Sequence, residues 1–288
     1  MILGLILALA SAVATNLAFL FKHRGAVLAP PIQVRHPLRS AVGLFRSRWF
    51  LVGWIVAIVA WSLHVGALSL APLSIVQAVL SGGLVFLAVF AERFFGFHLG
   101  RRQWVGVTIT AAGLVVIGLT GGGANDPKHA SLAALIAIQG AIFTVGAVLV
   151  RFSARRHVGP RAEGLLLGAA AGALFGVSDV AIKYLTEPEP APLLGLLSPW
   201  ALTALIGGVI SFYASARSLQ IGEGVEVIAI TSVAANLVAI LGGIIVFHEP
   251  IGSGALQTSG RFLAFCLVVA GAALMPAPMR AAPDAGQR

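Results

Sequence analysis

A single cysteine, Cys266, stands in the chain, which excludes an intramolecular disulfide framework and a cysteine-built metal site. It lies in the middle of an apolar run and is silent about redox compartment. Charge is just as scarce: 10% of the 288 residues are charged, against about 25% in an ordinary soluble domain. Histidines and carboxylates are not grouped at metal-ligand spacing, no nucleophile has a base within reach, and no Gly-x-x-x-x-Gly-Lys loop is present for a nucleotide phosphate. These absences count against an enzyme and against ATP hydrolysis by this chain. No catalytic residue and no cofactor is expected.

What the chain has instead is long apolar runs. It is 58% hydrophobic, with a mean hydropathy of +0.97. Runs of roughly 20 apolar residues recur, each long enough to cross a hydrocarbon layer about 30 Å thick. Nine spans are expected, at about 2–21, 50–70, 73–91, 103–120, 131–150, 163–185, 199–217, 225–247 and 260–277. The expected fold is therefore an all-α polytopic membrane protein. Pro72, Pro199, Pro250 and the "EPEPAP" tract at 187–192 mark interruptions, and "TGGGANDP" at 120–127 reads as a flexible turn. The opening "MILGLILALASAVATNLAFLF" has a small-residue "ASA", but its first charges, Lys22 and Arg24, follow the apolar core instead of preceding it. It reads as a retained span and not as a secretory signal.

A net charge of +9 would suggest nucleic acid in a soluble chain, but here the basic residues sit in short connections. That placement is a topology signal. Lys and Arg number six after the first span, none after the second, three after the third, one after the fourth and four after the fifth. With basic loops cytoplasmic, the N-terminus is expected outside and the C-terminus inside, in the cell (plasma or inner) membrane. The connection 22–48 places Leu38, Val42, Leu44 and Phe45 among Arg39, Arg46 and Arg48. A basic amphipathic segment in the inner headgroup layer and a solvated loop are both consistent with it.

The chain also repeats itself. "VFLAVFAERFFG" and "GIIVFHEPIG" each close an apolar run with Phe, one residue and Glu, here Glu92 and Glu249. "QWVG" at 103–106 and "QTSG" at 257–260 then lead to the Gly-containing runs "AAGLVVIG" and "VVAGAALM". Spans one to four resemble spans six to nine, and the intervening fifth span makes the repeat inverted, a common construction of secondary transporters. The expected organisation is one transmembrane domain over 1–288. It holds a first repeat at 1–121, the fifth span and a basic cytoplasmic loop at 122–162, a second repeat at 163–278 and a short tail at 279–288.

These segments carry a resemblance. "LSLAPLSIVQAVLSGGLVFLAVFAERFFGFHLGRRQWVGVTITAAGLVVIGL" (68–119) resembles the end of an EamA-type repeat of the drug/metabolite transporter (DMT) superfamily. "SLQIGEGVEVIAITSVAANLVAILGGIIVFHEPIG" (218–252) shares its layout, with His248-Glu249-Pro250 where Glu-Arg is usual. "NLAFLFKHRGA" (16–26) and the nine-span count are similar to the NIPA-type branch, whose members are described as magnesium transporters. The family pattern is five plus five spans, against which four plus five are expected here, without the first. The resemblance implies a transporter fold but brings no universal signature residues, so a site must be argued from its own chemistry.

Gly168, Gly172 and Gly176 form a small-residue stripe for helix packing, and helical steps from it reach Asp179 and Lys183. A charge inside a span costs roughly 2.5–3.5 kcal/mol on insertion scales, so it persists where a partner or a wet cavity offsets that. A structural Asp179 and Lys183 ion pair and a cation or proton role for Asp179 are equally consistent with the spacing. Asp179 is the candidate metal ligand should the cargo be a metal ion. Ser74, Gln77 and Ser81 share one stripe of span three, and Glu226 and Asn236 one stripe of span eight. Gln77 and Asn236 are the stronger pathway candidates. The serines are equally explained by helix packing, and Glu226 reads as a solvated interfacial carboxylate. Asn16 and His64 are lone polar groups that read first as packing residues, although an imidazole can also move protons. Glu92 and Glu249 read as capping or turn residues at span ends.

The expected function is secondary-active transport of a small polar solute or cation by alternating access, with Mg²⁺ the substrate that the resemblance implies. A metabolite, amino-acid or drug exporter is the alternative, and a non-transporting accessory or scaffold subunit is the alternative of another class. The expected partners are the lipid bilayer and the small-molecule or cation substrate, with no nucleic acid. A homodimer is compatible with the sequence but not specified by it.

Overall fold

The computed structural model describes residues 2–33, 36–96, 100–120, 131–155, 159–185, 198–249 and 254–274. The glycine-rich turn, the "EPEPAP" tract, Pro250 and the C-terminal tail singled out above lie, wholly or nearly so, outside the described residues. In chain order the helices are α1 (Ile2–Val27), α2 (Pro37–Phe45), α3 (Arg48–Leu70), α4 (Leu73–Phe94), α5 (Arg101–Thr120), α6 (Leu132–Ser153), α7 (Pro160–Leu185), α8 (Pro199–Ile221), α9 (Gly224–Val246) and α10 (Ala255–Ala273). Among the described residues there is no strand. Among the described residues, seven helices, α1, α3, α4, α6, α7, α8 and α9, are long and apolar enough to cross a membrane. The protein is a polytopic α-helical membrane protein. α5 and α10 occupy the places of the fourth and ninth expected spans.

Local chemistry sets several boundaries. Ser131 and Ser198 accept hydrogen bonds from the backbone N–H of Ala134 and Ala201, satisfying donors that the first turns of α6 and α8 leave open. Pro199 opens α8 where its missing N–H costs nothing. Pro72 separates α3 from α4. The first boundary differs from the sequence reading: α1 continues to Val27, through Lys22 and Arg24. Each cation finds an aromatic face, Lys22 at 4.1 Å from the Phe19 ring centre and Arg24 at 4.2 Å from that of Trp49. Such contacts let charged side chains remain helical near a membrane surface.

The helices pack in matching pairs. α1 lies along α3 as α7 lies along α8, α1 meets α4 as α7 meets α9, α5 pairs with α10, and α4 meets α9 at the centre. Glycines permit the close approaches. A Cβ on Gly172 would collide with the carbonyl of Thr231, and one on Gly176 would stand 2.6 Å from Val238 Cβ, so the Gly168, Gly172 and Gly176 stripe is the face that α7 presses against α9. In α5, a Cβ on Gly113 would stand 2.8 Å from the Ala264 carbonyl of α10. Between helices in lipid, this close packing takes the place of the hydrophobic drive that assembles soluble bundles.

Candidate functional site

Pressing its glycine stripe on α9 leaves α7 a neighbouring face for α3 and α4, and Asp179 projects from it. His64 Nε2 of α3 lies 3.1 Å from Asp179 Oδ1, and with a proton on that nitrogen it donates to the carboxylate. Gln77 Nε2 of α4 donates to Asp179 Oδ2 at 3.0 Å. The two donors come from residues 115 and 102 positions away in sequence. The cluster is nearly dry: side-chain exposure is 17% at Asp179 and 7% at His64, and Gln77 is fully buried. Two buried atoms in it have no hydrogen-bond partner among the described residues, His64 Nδ1 and Gln77 Oε1. Each is a lone-pair acceptor while the imidazole is neutral. His64 and Asp179 lie within two turns of the ends of α3 and α7, and Gln77 within two turns of the start of α4. The cluster therefore lies about 6–9 Å below one end of the bundle.

Lys183 takes a partner other than the one its i, i+4 spacing suggests. Its ammonium donates to the Leu68 carbonyl at 2.9 Å, one of the last four carbonyls of α3 that have no acceptor role inside the helix. On the other side of the α3–α4 turn, Glu249 Oε1 and Oε2 accept from the backbone N–H groups of Leu73 and Ser74, at 2.5 and 2.8 Å. The chain reaches that position because His248 adopts a left-handed conformation (φ 52°) after α9, and the Glu249 N–H returns to the Gly243 carbonyl at 3.0 Å. A cation at the C-terminal end of α3 and an anion at the N-terminal end of α4 both suit the helix dipoles. The turn at Ala71-Pro72 is thus held from both sides by the C-terminal half of the chain.

Glu249→Ala would strand two helix-start donors, at a cost of about 1–2 kcal/mol. Thermal unfolding of the detergent-solubilised variant should show a lowered midpoint, partly restored in Glu249→Gln. Glu92, its counterpart in the sequence repeat, is exposed and lies inside α4, so the shared Phe-x-Glu pattern serves two different settings. Arg261 of α10, 2% exposed and within electrostatic range of Glu249, was not singled out from the sequence.

The remaining candidates are distributed through the bundle. Asn16, 3% exposed in mid-α1, donates to the Ala12 carbonyl at 2.8 Å, its Oδ1 has no partner among the described residues, and Gly83 of α4 gives it room. Asn236 is 5% exposed in mid-α9. Ser81 donates back to the Gln77 carbonyl at 2.8 Å, and Ser74 is buried at the start of α4. None of these four bonds to Asp179 among the described residues. Glu226 departs from the solvated role read from sequence: it is 4% exposed and bound in a two-pronged pair by Arg161, with Nε to Oε2 at 3.1 Å and Nη2 to Oε1 at 2.5 Å. Arg161 is in the first turn of α7, so a basic residue from a preceding connection supplies the partner that spacing within α9 could not reveal. Arg217 and Glu163 meet at 3.5 Å beside it. The end of the bundle opposite the Asp179 cluster is thus tied by ion pairs.

Among the described residues no group of three or more His, Cys, Asp or Glu side chains stands close enough to enclose a metal ion. A cation at Asp179 would meet one carboxylate, an amide oxygen and an imidazole, and would keep part of its own water.

The chain is 26% identical over 271 residues to a probable magnesium transporter, NIPA9, of Arabidopsis thaliana, covering 89% of this chain and 76% of that protein. No family model matches the chain, and no solved structure matches it.

Proposed function

We propose that the protein is a secondary transporter of the drug/metabolite transporter type, EamA-like and nearest in character to the NIPA branch. It moves a small cation, Mg²⁺ foremost, by alternating access. The observation that carries this reading is the Asp179 carboxylate held by His64 and Gln77 beside two buried acceptors without a partner among the described residues. Mg²⁺ sheds water reluctantly and is usually bound by one or two carboxylates with several waters retained. The O–H groups of those waters are the donors that Gln77 Oε1 and His64 Nδ1 lack. Similarity to a probable magnesium transporter supports the same substrate.

Alternating access asks for two halves that can rock about a shared site. The proposed halves are α1, α3, α4 and α5 against α7, α8, α9 and α10, with α5 and α10 as the fourth and ninth spans. Their matched packing supports an inverted repeat, as do the close contacts of Gly113 of α5 with α10 and of Gly271 of α10 with α5. With the N-terminus outside, as the basic connections suggest, the Asp179 cluster lies toward the outer surface. Glu249 and Lys183 then hold the outer end closed, while Asn16 and Asn236 line the way inward.

One observation favours an amino-acid or metabolite exporter: the Lys183 ammonium one turn from Asp179 offers the charge of opposite sign that a zwitterion needs. A flux screen separates the two. In reconstituted vesicles with an entrapped magnesium indicator, Mg²⁺ entry should exceed that of protein-free vesicles and outpace amino acids and organic cations. Faster amino-acid flux with Mg²⁺ at background would transfer the site to the exporter reading, and silence toward every solute would leave a non-transporting subunit.

A further inference from the structure

The α1–α3 connection contains a second arrangement that transport does not explain. Helix α2 stands between the end of one spanning helix, Val27, and the start of the next, Arg48, so it sits at the level of a bilayer surface. Its buried side is Ser40 and Leu44. Ser40 Oγ accepts from the Gln33 N–H at 2.9 Å and donates to the His36 carbonyl at 3.0 Å, fixing the helix to its own approach. On another side, Leu38 and Val42 are 80% and 55% exposed at i, i+4 spacing, with Phe45 continuing the row. Arg39 and Arg46, seven residues apart, share the adjoining strip of the helix surface, and both are exposed. Exposed apolar residues continue into α3, a helix long and apolar enough to span a membrane, through Trp49, Leu51, Val52 and Ile55.

The rotation of α2 is held from the other half of the molecule. Gln220 at the end of α8 accepts from the Ile32 N–H at 3.1 Å and donates to the Pro30 carbonyl at 3.0 Å. The Tyr213 hydroxyl donates to the Pro37 carbonyl at 3.1 Å, and the Phe45 ring stacks on Phe212 at 6.3 Å. With these contacts in place the apolar row and the arginine strip cannot turn inward together. An apolar row continuous with a lipid-facing helix, flanked by arginines at surface level, is the geometry of a helix lying in a membrane interface.

We infer that α2 is an anionic-phospholipid site: Leu38 and Val42 enter the acyl layer, and Arg39 and Arg46 receive the phosphate headgroups. Guanidinium groups suit phosphate by planar paired hydrogen bonding as well as by charge.

The test uses the full chain in detergent and in nanodiscs. Native mass spectrometry titrations should give tighter binding of phosphatidylglycerol than of phosphatidylcholine. The pair R39Q/R46Q should weaken phosphatidylglycerol binding about thirtyfold, at roughly fivefold per arginine. Phosphatidylcholine binding should stay unchanged. R101Q/R102Q, two exposed arginines at the start of α5, should change phosphatidylglycerol binding less than twofold. Equal losses in the two pairs would reduce the effect to net charge and overturn the site. A nitroxide at Val42→Cys, in a Cys266→Ser background that retains all arginines, reads insertion independently. In phosphatidylglycerol nanodiscs it should be relaxed by oxygen and shielded from a water-soluble nickel chelate. Relaxation by the chelate would overturn the inference whatever the binding data show.

Discussion

Asp179→Asn should lower the initial rate of Mg²⁺ uptake into reconstituted vesicles by at least about tenfold while leaving the folded protein in place. The substitution preserves shape and one carbonyl oxygen, so the bond from Gln77 Nε2 can persist and α7 remains tied to α4. It removes the charge. An interaction with a charged group contributes about 1.5–3 kcal/mol, and losing it corresponds to a tenfold to hundredfold loss for a cation. The readout is the uptake rate at fixed Mg²⁺, with thermal stability measured on the same preparations. Wild-type uptake in the variant would leave Asp179 as an anchor between α7, α3 and α4 and would remove the cation site from the proposal. A large fall in stability without folded protein would be answered by Gln77→Glu. That change removes the Gln77 donor to Asp179, adds an acid beside it, and should alter Mg²⁺ uptake if cargo passes there.

The same cluster shows what a sequence of this kind discloses. Apolar runs of spanning length and the prolines between them announced the helices, because both signals are local and the bilayer demands them. Asp179 stood out for a related reason, as a charge in a run that penalises charge. Its partners did not, since His64 and Gln77 are separated from it by 115 and 102 residues and nothing periodic links three helices that meet only in the folded bundle. The one contact rule available from sequence, i, i+4 on a helix, paired Asp179 with Lys183. In the structure each takes its partner on other helices. Glu226 and Arg161 repeat the lesson: exposure was inferred from nearness to a span end, but burial was decided by what α7 places over it. The role of Glu249 depended on a left-handed His248, a local backbone choice that residue type alone does not announce.

Gly172→Ala should be more damaging than its single added methyl suggests. A Cβ there would run into the Thr231 carbonyl, which belongs to the α9 backbone and has no rotamer by which to yield. The helices would have to separate along the whole Gly168, Gly172 and Gly176 stripe, forfeiting dispersion contacts on both sides. Overpacking of this kind costs about 1–3 kcal/mol in a well-packed core, and the rigid obstacle puts this site at the upper end. Gly172→Leu should fail to yield a monodisperse protein. The control is Gly140→Ala on α6, where nothing stands within 4 Å of the added carbon. That change should be neutral or stabilising by up to about 1 kcal/mol, because alanine is the better helix former. Unfolding midpoints in one detergent compare the three variants directly. Equal behaviour of Gly172→Ala and Gly140→Ala would mean that α7 does not lean on α9. Asp179 would then lose the support that aims it at His64 and Gln77. Because α7 carries both the packing stripe and the carboxylate, Mg²⁺ uptake by any surviving Gly172→Ala protein should fall with its stability, whereas uptake by Asp179→Asn should fall without it.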